Sequence, residues 1–290
     1  AVYIGVPFCP TRCAYCSFVS QSVEKSFSLV DPYVDALAAE LAAGGRMAQE
    51  RGLRVRAMYM GGGTPTTLTA AQLDRVLTVF ETAFGSALDG CGEITVEAGR
   101  PDTITAEKLA VLKAHGVHRI SVNPQTMEEN VLRAIGRRHS SGDIESAMEL
   151  AARQGFPHIN MDLIAGLPED TAEGFRRSLA RCLAFGTDNV TVHTLALKKG
   201  SRILLEGLSI PGPETVGEML DHAEPALRQA GYAPYYLYRQ KYMSGSFENI
   251  GWTRPGGQCL YNIYIMSELC SILSFGAGGS TKMVDPSRRI

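Results

Sequence analysis

Three cysteines, Cys9, Cys13 and Cys16, stand at C-x3-C-x2-C spacing in the stretch Val-Pro-Phe-Cys-Pro-Thr-Arg-Cys-Ala-Tyr-Cys-Ser-Phe. Three thiolates this close cannot all pair as disulfides, and zinc normally takes a fourth nearby Cys or His to close its tetrahedron. The loop offers no fourth ligand. An iron–sulfur cube held by three cysteines leaves one iron without a protein ligand, and an open coordination position is what a metal needs to bind a reacting molecule. The spacing predicts a catalytic 4Fe-4S cluster; a zinc site completed from far away and ordinary core or reactive thiols are the alternatives.

Positioning such a loop falls to the elements around it. Val2 to Val6 is a short β-rich segment, and the cysteines follow its C-terminal end, where α/β folds put their chemistry. Asp31-Pro32 opens a helical run to about Gln49, with Asp31 placed to cap and Pro32 at its first position. Val55 to Met60 reads as a strand broken by Gly61-Gly62-Gly63-Thr64-Pro65-Thr66, and Thr69 with Gln72 forms a capping box for a helix to about Phe84. Strands Glu93–Glu97, His118–Val122, His158–Ile164 and Asn189–Thr194 then alternate with helices Ala106–His115, Glu128–Ile135, Gly142–Gln154 and Thr171–Phe185. Six strands alternating with helices predict an α/β fold, a partial (β/α)6 barrel with parallel strands, over residues 1–200. Beyond Lys199 the pattern changes to a helix from Glu214 to Ala230, a strand at Tyr235–Tyr238 and a glycine-rich remainder. Residues 201–290 are expected to form an accessory region packed on the barrel mouth.

Composition narrows the partners. The chain of 290 residues is 45% apolar and 20% charged, as in ordinary globular proteins. A net charge of −2 gives no general reason to expect nucleic acid or an acidic membrane. No apolar run is long enough to span a bilayer, and the odd count of seven cysteines does not resemble a secreted disulfide framework, so a reducing cytoplasm is expected. Ala1 is not an initiator methionine and no lead-in precedes the first strand, which predicts a part of a longer protein.

Polar residues at the C-terminal ends of parallel strands converge on one rim. The Gly61-Gly62-Gly63 turn allows close backbone approach and offers N–H groups to a ligand. Glu97 could hold an ammonium or a pair of hydroxyls, Gln125 could hydrogen-bond a sugar or adenine, and Arg137 could clamp a carboxylate. Asp162 lies in an apolar strand, where an uncompensated carboxylate would cost several kcal/mol, so it must have partners. His118, His158 and His193 are read as satisfied barrel histidines, and Glu128, Glu129, Glu169 and Asp170 as solvated helix starts. Cys91, Cys182, Cys259 and Cys270 have no spacing for a second cluster and are read as structural thiols.

With these residues in view, the sequence resembles radical S-adenosylmethionine (SAM) enzymes, whose mark is the cysteine spacing with an aromatic, here Tyr15, before the last cysteine. More narrowly, Tyr3-Ile4-Gly5-Val6-Pro7-Phe8-Cys9, Gly-Gly-Gly-Thr-Pro-Thr and Asp162-Leu-Ile-Ala-Gly-Leu-Pro168 resemble the oxygen-independent coproporphyrinogen III oxidase family. Glu97-Ala-Gly-Arg-Pro-Asp102 and Tyr236-Leu-Tyr-Arg-Gln-Lys241 resemble its HemZ-like branch. The resemblance implies that Cys9, Cys13 and Cys16 hold the cluster, that SAM chelates the fourth iron, and that its cleavage yields a 5′-deoxyadenosyl radical. It places Tyr3, Tyr15, Gly61, Gly62, Gly63, Thr64, Glu97, Gln125, Arg137 and Asp162 around SAM, with a second SAM molecule as a further option. Two departures stand out: Phe18 replaces the oxidase's fourth cysteine and Gly5 replaces its histidine.

The first function implied is oxidative decarboxylation of coproporphyrinogen III to protoporphyrinogen IX, fed by a flavodoxin or ferredoxin. Arg239, Lys241 and Arg254 beside Tyr238, Tyr242 and Trp252 are expected to supply the cationic, aromatic slot for that tetrapyrrole. The others are a heme-binding chaperone that keeps the cluster without turnover, and a methylase or cyclopropane-forming radical enzyme.

Overall fold

The computed structural model describes residues 1–16, 21–198, 200–241 and 243–285. Phe18, Lys199 and Tyr242 lie outside the described residues. Six β/α units appear in the order the sequence implies: β1 (Val2–Val6), α1 (Val30–Glu50), β2 (Ala57–Gly62), α2 (Ala70–Phe84), β3 (Glu93–Gly99), α3 (Ala106–Ala114) and β4 (Arg119–Val122). Two helices, the short α4 (Glu129–Ala134) and α5 (Ser141–Gln154), then lead to β5 (His158–Ala165), α6 (Ala172–Ala184) and β6 (Asn189–Thr194). These six strands are parallel neighbours in chain order.

Alternation of side chains at period two explains the layers. Ile4 and Val6 of β1, Met58 and Met60 of β2, Val96 and Ala98 of β3, and Met161 and Leu163 of β5 are all buried under the helices. The opposite face carries Tyr59, Thr95, Glu97, Ser121, Asn160, Asp162, Thr191 and His193, which line a cavity. One-residue slips would turn each polar set into the apolar core, so register is strongly specified. Helix α2 shows the matching 3.6-residue stripe, Leu73, Val76, Leu77, Phe80 and Phe84, all buried. Its Thr69–Gln72 capping box is present in both directions. Helix α1 departs from expectation: it starts at Val30 with Leu29 as N-cap, and Asp31 accepts from Gln72 Nε2 at 2.6 Å instead of capping its own helix.

The last third also departs from expectation. Helices α7 (Arg202–Glu206) and α8 (Pro213–Gln229) precede β7 (Ala233–Tyr238), β8 (Asn249–Thr253), α9 (Leu260–Met266) and β9 (Leu273–Gly276). Rather than only covering the mouth, these strands extend the same sheet: β8 and β7 add antiparallel beyond β6, and β9 adds parallel to β1. The sheet of nine strands, in the order β9-β1-β2-β3-β4-β5-β6-β8-β7, is open among the described residues, a partial barrel and not a closed one. No described helix is long and apolar enough to cross a membrane.

Candidate cofactor site at the strand ends

The loop after β1 is docked by its backbone. Ala14 N donates to Ile135 O at 2.9 Å, Ile203 N to Ala14 O at 3.2 Å, and Thr11 Oγ1 to Gly136 O at 3.0 Å. Below it, Gly63 N donates to Val6 O at 2.6 Å and Thr64 N to Phe8 O at 2.8 Å. A Cβ at Gly63 would lie 2.6 Å from Phe8 O and 3.0 Å from Cys9 Sγ, so only glycine admits this approach. Gly62, at φ +104°, turns the chain here in a region side chains rarely adopt.

Cys9, Cys13 and Cys16 open into one cavity of about 350 Å³, together with Tyr15, Gly62, Gly63, Thr64, Glu97, Gln125, Arg137 and Asp162. Nothing in the sequence spacing alone brings those eleven β-end and loop positions together; the parallel sheet does. Tyr3 and Gly61, expected at the same ligand, are not on the cavity wall. Tyr3 stacks with Tyr59 and Tyr261 at centroid separations of 6.3 and 6.1 Å, and Gly61 backs onto Tyr59 and Glu97. Gly5 is similarly enclosed: a Cβ there would meet Ala277 O at 2.4 Å.

Electrostatics differ among the thiols. Burial pushes Cys9 up to about 11, although Thr64 beside it works the other way. Burial acts on Cys13 too, but Arg137 and Arg100 overcome it and hold this thiol below its ordinary value. Arg137 is buried, donates to Asn123 O at 2.5 Å and to Tyr15 Oη at 3.1 Å, and keeps its charge. Asp162 has the partners its position demands: Asn160 Nδ2 at 2.8 Å and His193 Nε2 at 3.6 Å. Desolvation raises its pKa, but His193, Asn160 and Thr191 together more than offset it and the carboxyl is held low.

Glu97 behaves oppositely. Burial pushes it from 4.5 up to about 7, with the Tyr59 hydroxyl donating at 2.5 Å and Asp162 nearby adding repulsion. The unfolded chain releases this proton near 4.5 and the folded chain near 7, so the folded state holds the extra proton between them. That stabilisation is complete below 4.5 and lost as pH rises through 7. Relative to Glu97→Gln, the cofactor-free wild type should lose about 2 to 3 kcal/mol between these limits in urea unfolding. Parallel stability curves for the two proteins would refute the assignment.

The site fits the cofactor pair that the cysteines suggest. Three thiols face the cavity, two buried guanidiniums offset anionic charge, and Gln125 Oε1, Asn123 Oδ1 and Arg137 Nε are buried without a protein partner. Buried polar groups are rarely left so, and a ligand is the natural partner. Gln125 is also held at φ +68° by a bridge to β5, a strained conformation for a non-glycine residue.

His193 belongs to the cavity wall and faces Asp162, whereas His118 accepts from Ile94 N at 3.1 Å and His158 stands 3.7 Å from Asp188, away from the cavity. Asp170 is buried, not solvated, and burial pushes it up to about 6. Cys259 is buried and lines the cavity. Arg100, unassigned from sequence, reaches Cys13 Sγ at 3.7 Å. Among the described residues the expected cationic slot does not form: Arg239 pairs with Glu248, Arg254 lies over the Tyr232 ring at 5.0 Å, and Trp252 is buried beneath Arg228. Arg254 follows β8, whose antiparallel run ends at the opposite end of the sheet from the cysteines. Of that group only Tyr238 lines the cavity among the described residues.

A family model for the radical SAM superfamily matches residues 3–182. The chain is 40% identical over 287 residues to HemZ, an oxygen-independent coproporphyrinogen-III oxidase-like protein of Bacillus subtilis, covering 98% of this chain and 57% of that one. It is 32% identical over 297 residues to the heme chaperone HemW of Synechocystis, covering 99% and 67% respectively. Among solved structures, coproporphyrinogen III oxidase (HemN) from Escherichia coli, a radical SAM enzyme, superposes with a TM-score of 0.78 at 23% identity, over 98% of this chain and 64% of that one. The chain thus spans 57% of the HemZ relative's length. The chain belongs to the radical SAM superfamily, and its relatives include HemZ and HemW proteins. Its cofactors are accordingly a 4Fe-4S cluster and SAM, which removes the zinc alternative.

Proposed function

We propose that the chain is the radical-generating part of an oxygen-independent coproporphyrinogen III oxidase-like enzyme of heme biosynthesis, working in the cytoplasm with a flavodoxin or ferredoxin as electron donor. Residues 1–200 would carry the chemistry and 201–290 the accessory wall. The observation that carries this reading is the shared cavity: all three cysteines and eight of the ten expected SAM contacts line it. The cluster and SAM, when bound, supply one-electron cleavage of a sulfonium and hence a hydrogen-atom acceptor.

The chain's own residues bind and orient. Cys9, Cys13 and Cys16 would hold the cluster, leaving its fourth iron open. Arg137 would face the SAM carboxylate, since its Nε is buried without a protein partner. Gln125 Oε1 would accept from an amino group, and the carboxylates of Glu97 and Asp162 from ribose hydroxyls or the ammonium. Tyr59, Tyr236 and Tyr238 close the side of the cavity and exclude water from the reacting atoms.

A chaperone reading is favoured by the HemW relatives. Anaerobic incubation of the reconstituted, reduced protein with SAM and coproporphyrinogen III separates the readings. Deoxyadenosine together with protoporphyrinogen IX is expected. Deoxyadenosine alone would point to another substrate, such as that of a methylase using a second SAM, and stoichiometric heme binding without deoxyadenosine would establish the chaperone.

A further inference from the structure

The segment Glu97-Ala-Gly-Arg-Pro-Asp102 holds an arginine, Arg100, that is not among the expected SAM contacts. β3 breaks register with β4 between Glu97 and Gly99, and Gly99 adopts φ +57°. Arg100 N then donates back to Ala98 O at 2.6 Å, and Pro101–Thr103 forms a single helical turn. The outcome is an arginine side chain only 3% exposed, directed at the cysteine loop. Its Nη1 lies 3.2 Å from Thr11 Oγ1, 3.5 Å from Thr11 O and 3.7 Å from Cys13 Sγ. Its other edge forms a two-point fork with Asp102, Nε to Oδ1 at 3.0 Å and Nη2 to Oδ2 at 2.9 Å. Behind Asp102 stands His139, its side chain fully buried, with Nδ1 3.5 Å from Oδ1.

We propose that Arg100, aimed by the Asp102 fork, is a positioning residue that fixes the Cys13 sulfur and raises the reduction potential of the cluster it holds. This rests on the reading of Cys9, Cys13 and Cys16 as the cluster ligands. The argument is electrostatic. Reduction adds one electron from an external low-potential donor, with no bond made or broken and no proton moved. A permanent cation beside one sulfur favours the more negative state, and in water-poor surroundings that preference is not screened away. Arg137 supplies a second cation, but its Nε is buried without a protein partner, whereas Arg100, which also lines the cavity, is tied to Thr11 on one edge and Asp102 on the other.

The test is a redox titration followed by electron paramagnetic resonance on anaerobically reconstituted wild type, Arg100→Gln, Arg100→Lys and Asp102→Asn, with iron and sulfide content measured first. Arg100→Gln should lower the midpoint by about 59 mV, about tenfold in the one-electron reduction equilibrium. Arg100→Lys should recover most of it. Asp102→Asn removes the offsetting anion while Thr11 still holds the guanidinium, so its midpoint should rise. A purely structural role would reduce cluster loading in both variants without opposite shifts. An unchanged midpoint in a loaded Arg100→Gln protein overturns the proposal. If that variant loads no cluster, Asp102→Asn decides: an upward shift supports the proposal, and none or a downward one overturns it. Wild type that loads no cluster removes the ligand reading itself, which is a different failure.

Discussion

Cys13→Ala is expected to abolish SAM cleavage, reducing deoxyadenosine formation to the level of a protein-free control and removing the visible absorbance of the cluster. Burial raises the pKa of this thiol, but Arg137 and Arg100 overcome it and hold it below its ordinary value. If Cys9, Cys13 and Cys16 hold the cluster as proposed, an alanine would leave it with two donors, and no described histidine or carboxylate stands in the loop to replace the third. The fold should survive, because both arginines keep other partners: Thr11 and Asp102 for one, Asn123 O and Tyr15 for the other. Cys182→Ala is the control. That thiol is buried in the helix-packed core, so its loss should cost stability while iron content stays at the wild-type level. Full iron loading of Cys13→Ala would show that the ligands lie elsewhere.

Arg119→Met should be the most destabilising single substitution at the base of the barrel, by about 3 to 5 kcal/mol in urea unfolding. Arg119 is 2% exposed in its side chain and ties three strands together. Its Nη2 donates to Glu93 Oε2 at 3.1 Å and to Gly257 O at 2.9 Å, and its Nη1 donates to Asn189 Oδ1. Removing it strands the Glu93 carboxylate, itself 5% exposed, among Thr95, Leu260 N and apolar neighbours. An uncompensated buried charge is the costly outcome, not the loss of the pair as such. Replacing both partners, Arg119→Met with Glu93→Met, should therefore be less harmful than Arg119→Met alone. A loss below about 1 kcal/mol for the single variant would mean that water reaches Glu93.

What sequence reasoning could see was whatever a local pattern dictates. The period-two strands, the stripe of α2, the Thr69 capping box and the cysteine spacing all carry their reason within a few residues. Asp162 was legible for a different cause: a carboxylate in an apolar strand is too costly to be there alone, and Asn160 and His193 answer it. Failures began where position depends on a distant segment. Asp31 and Pro32 carry an ordinary helix-start pattern, yet Gln72 of another element claims the carboxylate. The aromatic and basic residues of β7 and β8 read equally well as a binding slot or as sheet packing, and only the antiparallel pairing on β6 sends Arg254 to the far end. Arg100 was invisible because its direction is set by one register slip and one left-handed glycine.

Gly5 carries an implication for protein engineering. Its pairing partners in register are Gly61 and Gly276, so a row free of side chains crosses three strands, with the turn at Ala277 pressed against it. Grafting an imidazole onto that row in search of the oxidase's reactivity would fail sterically before its chemistry could be judged. The exchange becomes feasible only after the 276–279 turn has been rebuilt, which makes the two changes mutually dependent and their order consequential for any directed-evolution route.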